Sequence, residues 1–132
     1  MKRDMDLIRD LLLRLEALPV PAAGMTTIDA SQTAVQVDGY TAEQINYHLS
    51  LLEQAQLIHA GGLDFGMQFG GGGVGFQSLT WAGHDFLDAT RNPDVWGRTK
   101  QAANAAGGFT VELLVFAAKT YLEGKIKGVI GG

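Results

Sequence analysis

Residues 40–58, YTAEQINYHLSLLEQAQLI, constrain the fold more than any other part of the chain. Thr41 followed by Gln44 is a capping box, in which the threonine hydroxyl accepts from a backbone amide and the glutamine side chain returns to the cap. The spacing of the apolar residues places them on one side of a helix, which predicts that this side docks on a core. These residues are Ile45, His48, Leu49, Leu51, Leu52 and Ala55. The outward side carries Glu43, Asn46, Ser50, Glu53 and Gln54. Small domains insert a helix of this shape into a groove of DNA.

A pattern typical of a β-hairpin follows this helix. Leu63, Phe65, Met67 and Phe69 alternate with polar residues and glycine, as strand periodicity requires. Four glycines at 70–73 free the backbone to reverse, and 74–79 return as a second strand that adds Phe76 to the apolar side. Because six of the residues 66–75 are glycine, we expect few side chains to cover this aromatic patch.

Caps and periodicity predict one helix before residues 40–58 and another after the hairpin. Residues 4–18 carry an apolar stripe that ends at Pro19, and we expect Leu49 and Leu52 to pack against it. Thr80 begins another helix. Its expected core residues are Trp81, Phe86, Leu87 and Ala89.

Two more helices are predicted after residue 91. Asn92-Pro93 supplies the cap and first residue of a helix that extends to about Ala106. Thr110 caps the last helix, whose apolar cluster is Leu113, Leu114, Ala117, Ala118, Tyr121 and Leu122.

The order of elements predicts an α+β fold, a winged-helix-like domain over 1–91 with a C-terminal helical extension over 92–132 packed on it. A β-branched alternation at 33–37 predicts a short strand before a turn at Asp38-Gly39. Winged helices normally have two helices between the first helix and the wing, but only one is evident here. Residues 26–32 are therefore a candidate for a further short helix.

Charge is distributed unevenly along the 132 residues. No Lys or Arg occurs between Leu15 and Thr90, although the net charge of the whole chain is only −4. That segment contains eight acids: Glu16, Asp29, Asp38, Glu43, Glu53, Asp64, Asp85 and Asp88. DNA affinity depends on cations that neutralise phosphates. The segment that would read DNA therefore lacks the charge to do so.

Composition and motifs argue against catalytic and metal chemistry. The chain has no cysteine, which excludes thiol nucleophiles and zinc–thiolate sites. The glycines of FGGGGVGF are not followed by the Lys and helix of a phosphate-binding loop. His84 and Asp88 are spaced as two metal ligands on one helix, but only the distant His59 is available as a third. We expect no enzyme activity, no metal and no cofactor.

The location is predicted from what the N-terminus and the apolar runs contain. Charged residues interrupt the N-terminal apolar run, as in MDLIRDLLLRLEAL, so no signal peptide is evident. No stretch has the roughly 18 apolar residues of a membrane span. We expect a cytoplasmic protein.

Four segments carry a resemblance to a known family: MKRDMDLIR, INYHLSLLEQAQLI, LTWAGHDFLDATRNPDVW and AAGGFTVELL. With these the chain resembles an uncharacterised family, a domain of unknown function found in short bacterial and phage proteins. The resemblance implies a winged-helix-like fold, a prokaryotic or phage setting and a non-enzymatic role. It supplies no catalytic residues.

The function predicted is a non-catalytic module that binds a protein partner, or a second copy of the chain. Its predicted binding residues lie on the hairpin and the acidic helix: Phe65, Met67, Phe69, Phe76, Glu43, Asn46, Ser50 and Glu53. One alternative is a DNA-binding regulator of winged-helix type that uses basic flanks. Another is a small acidic phage-type inhibitor that occupies the basic channel of a host nucleic-acid-handling system.

Overall fold

The computed structural model describes residues 1–20, 24, 26–60, 73–105 and 110–130. Its elements in chain order are α1 (Met5–Glu16), β1 (Thr26–Ile28), a 3₁₀ turn (Thr33–Val35), α2 (Ala42–Gln54), β2 (Ile58–His59), β3 (Val74–Phe76), β4 (Ser78–Leu79), α3 (Trp81–Thr90), α4 (Pro93–Ala105) and α5 (Val111–Ile130). This mixture of helices and short antiparallel sheets confirms the α+β class. The chain divides into two compact units, Met1–His84 and Asp85–Gly132, which we call unit 1 and unit 2. None of the helices in the described ranges is both long and apolar enough to cross a membrane.

Two capped helices form the core of unit 1. The side chain of Asp4 caps α1 by accepting hydrogen bonds from the amides of Asp6 and Leu7. Thr41 and Gln44 form the predicted capping box at the start of α2. The apolar sides of the two helices pack together, with Leu49 and Leu52 fully buried as predicted.

The sheets of unit 1 pair strands that are distant in sequence. β1 is antiparallel to β3, with Thr26 opposite Phe76. β2 is antiparallel to β4, with Ile58 opposite Leu79. The segment 74–79, predicted to be one strand, is therefore interrupted at Gln77, and its two halves pair with different strands. The other predicted hairpin strand, 63–69, lies outside the described residues.

The strand predicted at 33–37 is wrong, because local hydrogen bonds fold this segment into a 3₁₀ turn. The amide of Val35 donates to the carbonyl of Gln32 at 3.1 Å, and that of Gln36 to the carbonyl of Thr33 at 3.2 Å. Val35 is fully buried, so its β-branched side chain fills the core without a strand partner. The candidate helix at 26–32 is β1 followed by a turn at Asp29.

Unit 2 contains α4 and α5, packed against each other. Asn92 caps α4 through hydrogen bonds from the amides of Asp94 and Val95, and the Thr110 hydroxyl caps α5. Both caps were predicted. Leu114 and Ala118 of α5 are fully buried. Phe86 of α3 meets the ring of Trp96 edge-on, with centroids 6.1 Å apart.

Candidate functional site

The outward side of α2 exposes acidic and aromatic groups together. Glu43 is exposed in the first turn of the helix, where the helix dipole favours a carboxylate. One turn later the side chain of Tyr47 is 38% exposed. Glu53, near the end of the helix, is half-buried, and this burial raises the pKa of its carboxyl. The two carboxylates therefore differ: Glu43 is hydrated, whereas Glu53 is partly desolvated.

Two other predicted binding residues on this helix use their polar groups within the protein. The side-chain oxygen of Asn46 accepts a hydrogen bond from the amide of Ala30 at 2.9 Å. The hydroxyl of Ser50 donates to the carbonyl of Tyr47 at 2.6 Å. Both side chains are half-buried. Asn46 thus attaches the turn after β1 to α2, a structural role that the sequence did not indicate.

Trp81 contradicts the prediction that it belongs to the core, because its side chain is 84% exposed. Its position is fixed by the preceding residue. The Thr80 hydroxyl donates to the carbonyl of Gln56 at 2.6 Å, and the Thr80 amide donates to the carbonyl of Leu57 at 3.0 Å. The first residue of α3 therefore lies beside the end of α2. We refer to Glu43, Tyr47, Glu53 and Trp81 together as the α2 surface.

Of the hairpin residues predicted to bind a partner, Phe76 lies within the described residues. Phe65, Met67 and Phe69 lie outside the described residues. Phe76, expected on the exposed apolar face, is only 2% exposed. The reason is that β3 pairs with β1 and its residues are buried on both sides of the strand. The side chain of Phe76 is part of the core of unit 1 in this conformation.

The ring of His48 makes two hydrogen bonds inside unit 1. His48 is buried, and its Nε2 accepts a hydrogen bond from the amide of Asp4 at 2.8 Å. Its other ring nitrogen, Nδ1, is 2.7 Å from the carbonyl oxygen of Gln44 and therefore carries the proton. The sequence placed His48 on the side of the helix that docks on the core, and its burial confirms this.

His84 and Asp88, the two candidate metal ligands, contact different residues. His84 Nδ1 lies 4.0 Å from a carboxylate oxygen of Glu16, whereas Asp88 contacts Arg91 at 3.3 Å. Across the described ranges no group of three or more His, Asp or Glu side chains could hold a metal ion. Asp88 and Arg91 form a surface ion pair, and the contact of His84 is a long one to a single carboxylate.

One polar contact in unit 1 was not predicted from the sequence. The Tyr40 hydroxyl donates to a carboxylate oxygen of Asp4 at 2.8 Å, across 36 residues of chain. Burial, followed by this hydrogen bond and the charge of Asp4, raises the pKa of Tyr40 to about 12. Asp4 could have been identified as a cap from its place before an apolar stripe, but nothing in the sequence pairs it with Tyr40.

Comparison with known proteins identifies the family but not the activity. Residues 2–109 match the family described as "Hypothetical protein (DUF2513)". The chain belongs to this family. A Haemophilus influenzae relative, described as "Uncharacterized protein", is 37% identical over 100 residues, which cover 76% of each chain. No solved structure matches the chain. The resemblance to a family of unknown function is thereby confirmed.

Proposed function

We propose that this DUF2513 protein is a non-catalytic binding module, acting in the bacterial cytoplasm, whose α2 surface binds a basic surface of a partner protein. The observation that carries the proposal is the absence of Lys and Arg between Leu15 and Thr90. Apart from histidine, the cations available to acids in this segment come from the ends of the chain or from a partner. A basic protein surface supplies those cations, whereas a DNA backbone adds more negative charge.

The exposed aromatic groups give this surface the character of a protein contact. Trp81, 84% exposed, leaves a large apolar side chain in water beside the end of α2. Tyr47 is also exposed, on the outward side of that helix. Aromatic residues are enriched at the centres of protein interfaces and contribute disproportionately to binding energy. Trp81, beside the end of α2, is therefore the proposed anchor, and Glu43 and Glu53 are the proposed charged contacts along that helix.

The helix and strand order of unit 1 supports a winged-helix-like relationship as part of this proposal. The arrangement would give α2 the place of a recognition helix, with its outward side turned to a partner. A narrower form of the proposal rests on the same lack of Lys and Arg between Leu15 and Thr90. In that form the partner's basic surface is a nucleic-acid channel, and the acidic segment blocks it.

Affinity capture with matched variants tests the proposal. The wild-type chain, Glu43→Lys and Trp81→Ala would each be used as bait in a lysate of the source organism. Glu112→Lys and Phe116→Ala on exposed positions of α5 are the controls for charge reversal and aromatic loss. We expect a partner that the two controls retain and the two α2-surface variants lose, with direct binding reproduced by the purified partner.

Two results would contradict the proposal. The first is a partner lost equally from the control variants, which would place the contact elsewhere on the molecule. The second is capture that Glu43→Lys strengthens, because a cation at this position would then match an acidic partner or a nucleic acid.

A further inference from the structure

The last turns of α5 extend past the helix against which it packs. The Tyr121 hydroxyl donates to a carboxylate oxygen of Asp94 at 3.2 Å, and Asp94 belongs to the first turn of α4. The helix nonetheless continues to Ile130, about 14 Å beyond Tyr121 at 1.5 Å per residue. Every residue from 123 to 128 is exposed. We call residues 123–128 the α5 end.

The α5 end carries cations that the fold does not neutralise. Lys125 and Lys127 have no carboxylate within ion-pair distance among the described residues. The Nζ of Lys125 lies 5.4 Å from the ring centroid of Tyr121, a contact that does not cancel its charge. Ile126, between the two lysines, is 55% exposed. Although Glu123 supplies one acid, the α5 end presents two cations beside an exposed apolar side chain.

The α2 surface has the complementary character. Glu43 and Glu53 have no ion-pair partner in the described part of the chain, and Trp81 is exposed in the same unit. Interfaces commonly match a positive patch with a negative one. Every copy of the chain carries both surfaces, and soluble oligomers are mostly homo-oligomers. A second copy therefore supplies the cations that the α2 surface lacks.

We propose that the α5 end of one copy binds the α2 surface of a second copy. The two lysines of the α5 end form ion pairs with Glu43 and Glu53, and Ile126 packs against the aromatic side chains of the α2 surface. In a twofold dimer, the commonest symmetric assembly, this contact is made twice. The inference rests on the proposed function, because it identifies the basic surface that the α2 surface binds as part of the same protein.

Light scattering of the full chain at about 1 μM to 1 mM tests the inference. We expect the mass to rise with concentration from 14.1 kDa to twice that value. Added salt should reverse the rise, because exposed charges are screened. Lys125→Glu with Lys127→Glu should stay monomeric. Lys2→Glu with Lys119→Glu, both exposed positions, gives the same net charge and should dimerise as the wild type does.

Mixing two charge-reversed variants separates a broken contact from a folding defect. Glu43→Lys with Glu53→Lys should also stay monomeric, because its α2 surface then repels the α5 end. Mixed in equal amounts with the Lys125→Glu, Lys127→Glu variant, it should form a dimer. In such a mixed dimer each of the two contacts joins opposite charges again. Recovery on mixing is expected only if these two surfaces bind each other in different copies.

A wild-type chain that stays monomeric over this range overturns the inference. A mixture that stays monomeric also overturns it, as does a dimer that the α2-surface reversals leave unchanged. A monomer that sediments with phosphatidylglycerol vesicles through Lys125 and Lys127 would assign the α5 end to an anionic membrane surface instead. These results leave the proposed function standing, because it is tested by capture of a partner that depends on Glu43 and Trp81.

Discussion

Asp4 joins three parts of unit 1 through its hydrogen bonds. One carboxylate oxygen accepts from the amides of Asp6 and Leu7 at the start of α1. The other accepts from the Tyr40 hydroxyl, and the Asp4 amide donates to Nε2 of His48. Since His48 belongs to α2, a single residue connects the beginning of α1 to both α2 and the turn before it. The Tyr40 hydroxyl is consequently held in a partly buried, acidic environment.

This environment predicts an unusual tyrosine titration. In the folded protein the pKa of Tyr40 is about 12, against an ordinary value of 10.0. Because the folded-state pKa is the higher one, the stability from this contact is fully present below pH 10 and is lost as the pH rises towards 12. Absorbance at the tyrosinate band should show one late ionisation that Tyr40→Phe removes.

Tyr47→Phe is the control and should leave the late ionisation in place. Denaturant midpoints should also fall less between pH 10 and 12 in Tyr40→Phe than in the wild type. A late ionisation that survives in Tyr40→Phe would show that another group is responsible, and the Asp4–Tyr40 contact would then be wrong.

At the scale of elements, close backbone packing fixes the start of α3 in unit 1. A Cβ added to Gly83 would collide with the carbonyl oxygen of Leu57, just after α2, and would press on the side chain of Leu79. Among the described residues, the same added Cβ on Gly97, inside α4, would meet no atom within 4 Å outside its own stretch of helix. The two helical glycines are therefore present for different reasons.

Alanine at these two positions should change stability in opposite directions. Gly83→Ala should destabilise the protein by about 1–3 kcal/mol or more, because the obstacle is backbone and cannot rotate away. Gly97→Ala should stabilise it by roughly 0.5–1 kcal/mol, because alanine loses less entropy in a helix. Denaturant unfolding of the two variants measures both effects. If Gly83→Ala unfolds at the wild-type midpoint, α3 does not approach Leu57 as described.

The helices were predictable because their signals are local. Caps at Thr41, Asn92 and Thr110 lie next to the apolar stripes that they begin, and the structure contains all three. The sheets were not predictable in the same way. A strand pattern does not specify its partner, and 74–79 pairs with β1 and β2 in two separate pieces.

The candidate site was also predictable only where its features depend on residues that are close in sequence. The acidic outward side of α2 follows from helical spacing alone, and Glu43 is exposed as predicted. The exposure of Trp81 depends on hydrogen bonds from Thr80 to residues at the end of α2. Because these contacts join residues 23 and 24 positions apart, an aromatic residue beginning a helix was wrongly assigned to the core.

At the scale of the whole molecule, the charges separate the two ends of the chain from its middle. All ten Lys and Arg residues occur before Leu15 or after Thr90. The family match at residues 2–109 includes unit 1 and α4, whereas α5 follows its last residue. The acidic segment and the α2 surface therefore lie within the family match.

Duplex DNA binding tests the central claim most directly, because the proposed winged-helix-like relationship would suit a DNA reader and the charges oppose it. Fluorescence anisotropy of labelled mixed-sequence and native-locus duplexes, titrated with the full chain at physiological salt, should give no binding tighter than the roughly 10⁻⁴ to 10⁻⁶ M of non-specific DNA binding. Glu43→Lys with Glu53→Lys should increase any residual signal. Sub-micromolar binding by the wild type, weakening steeply as salt is added, would contradict the claim and identify the protein as a DNA-binding regulator.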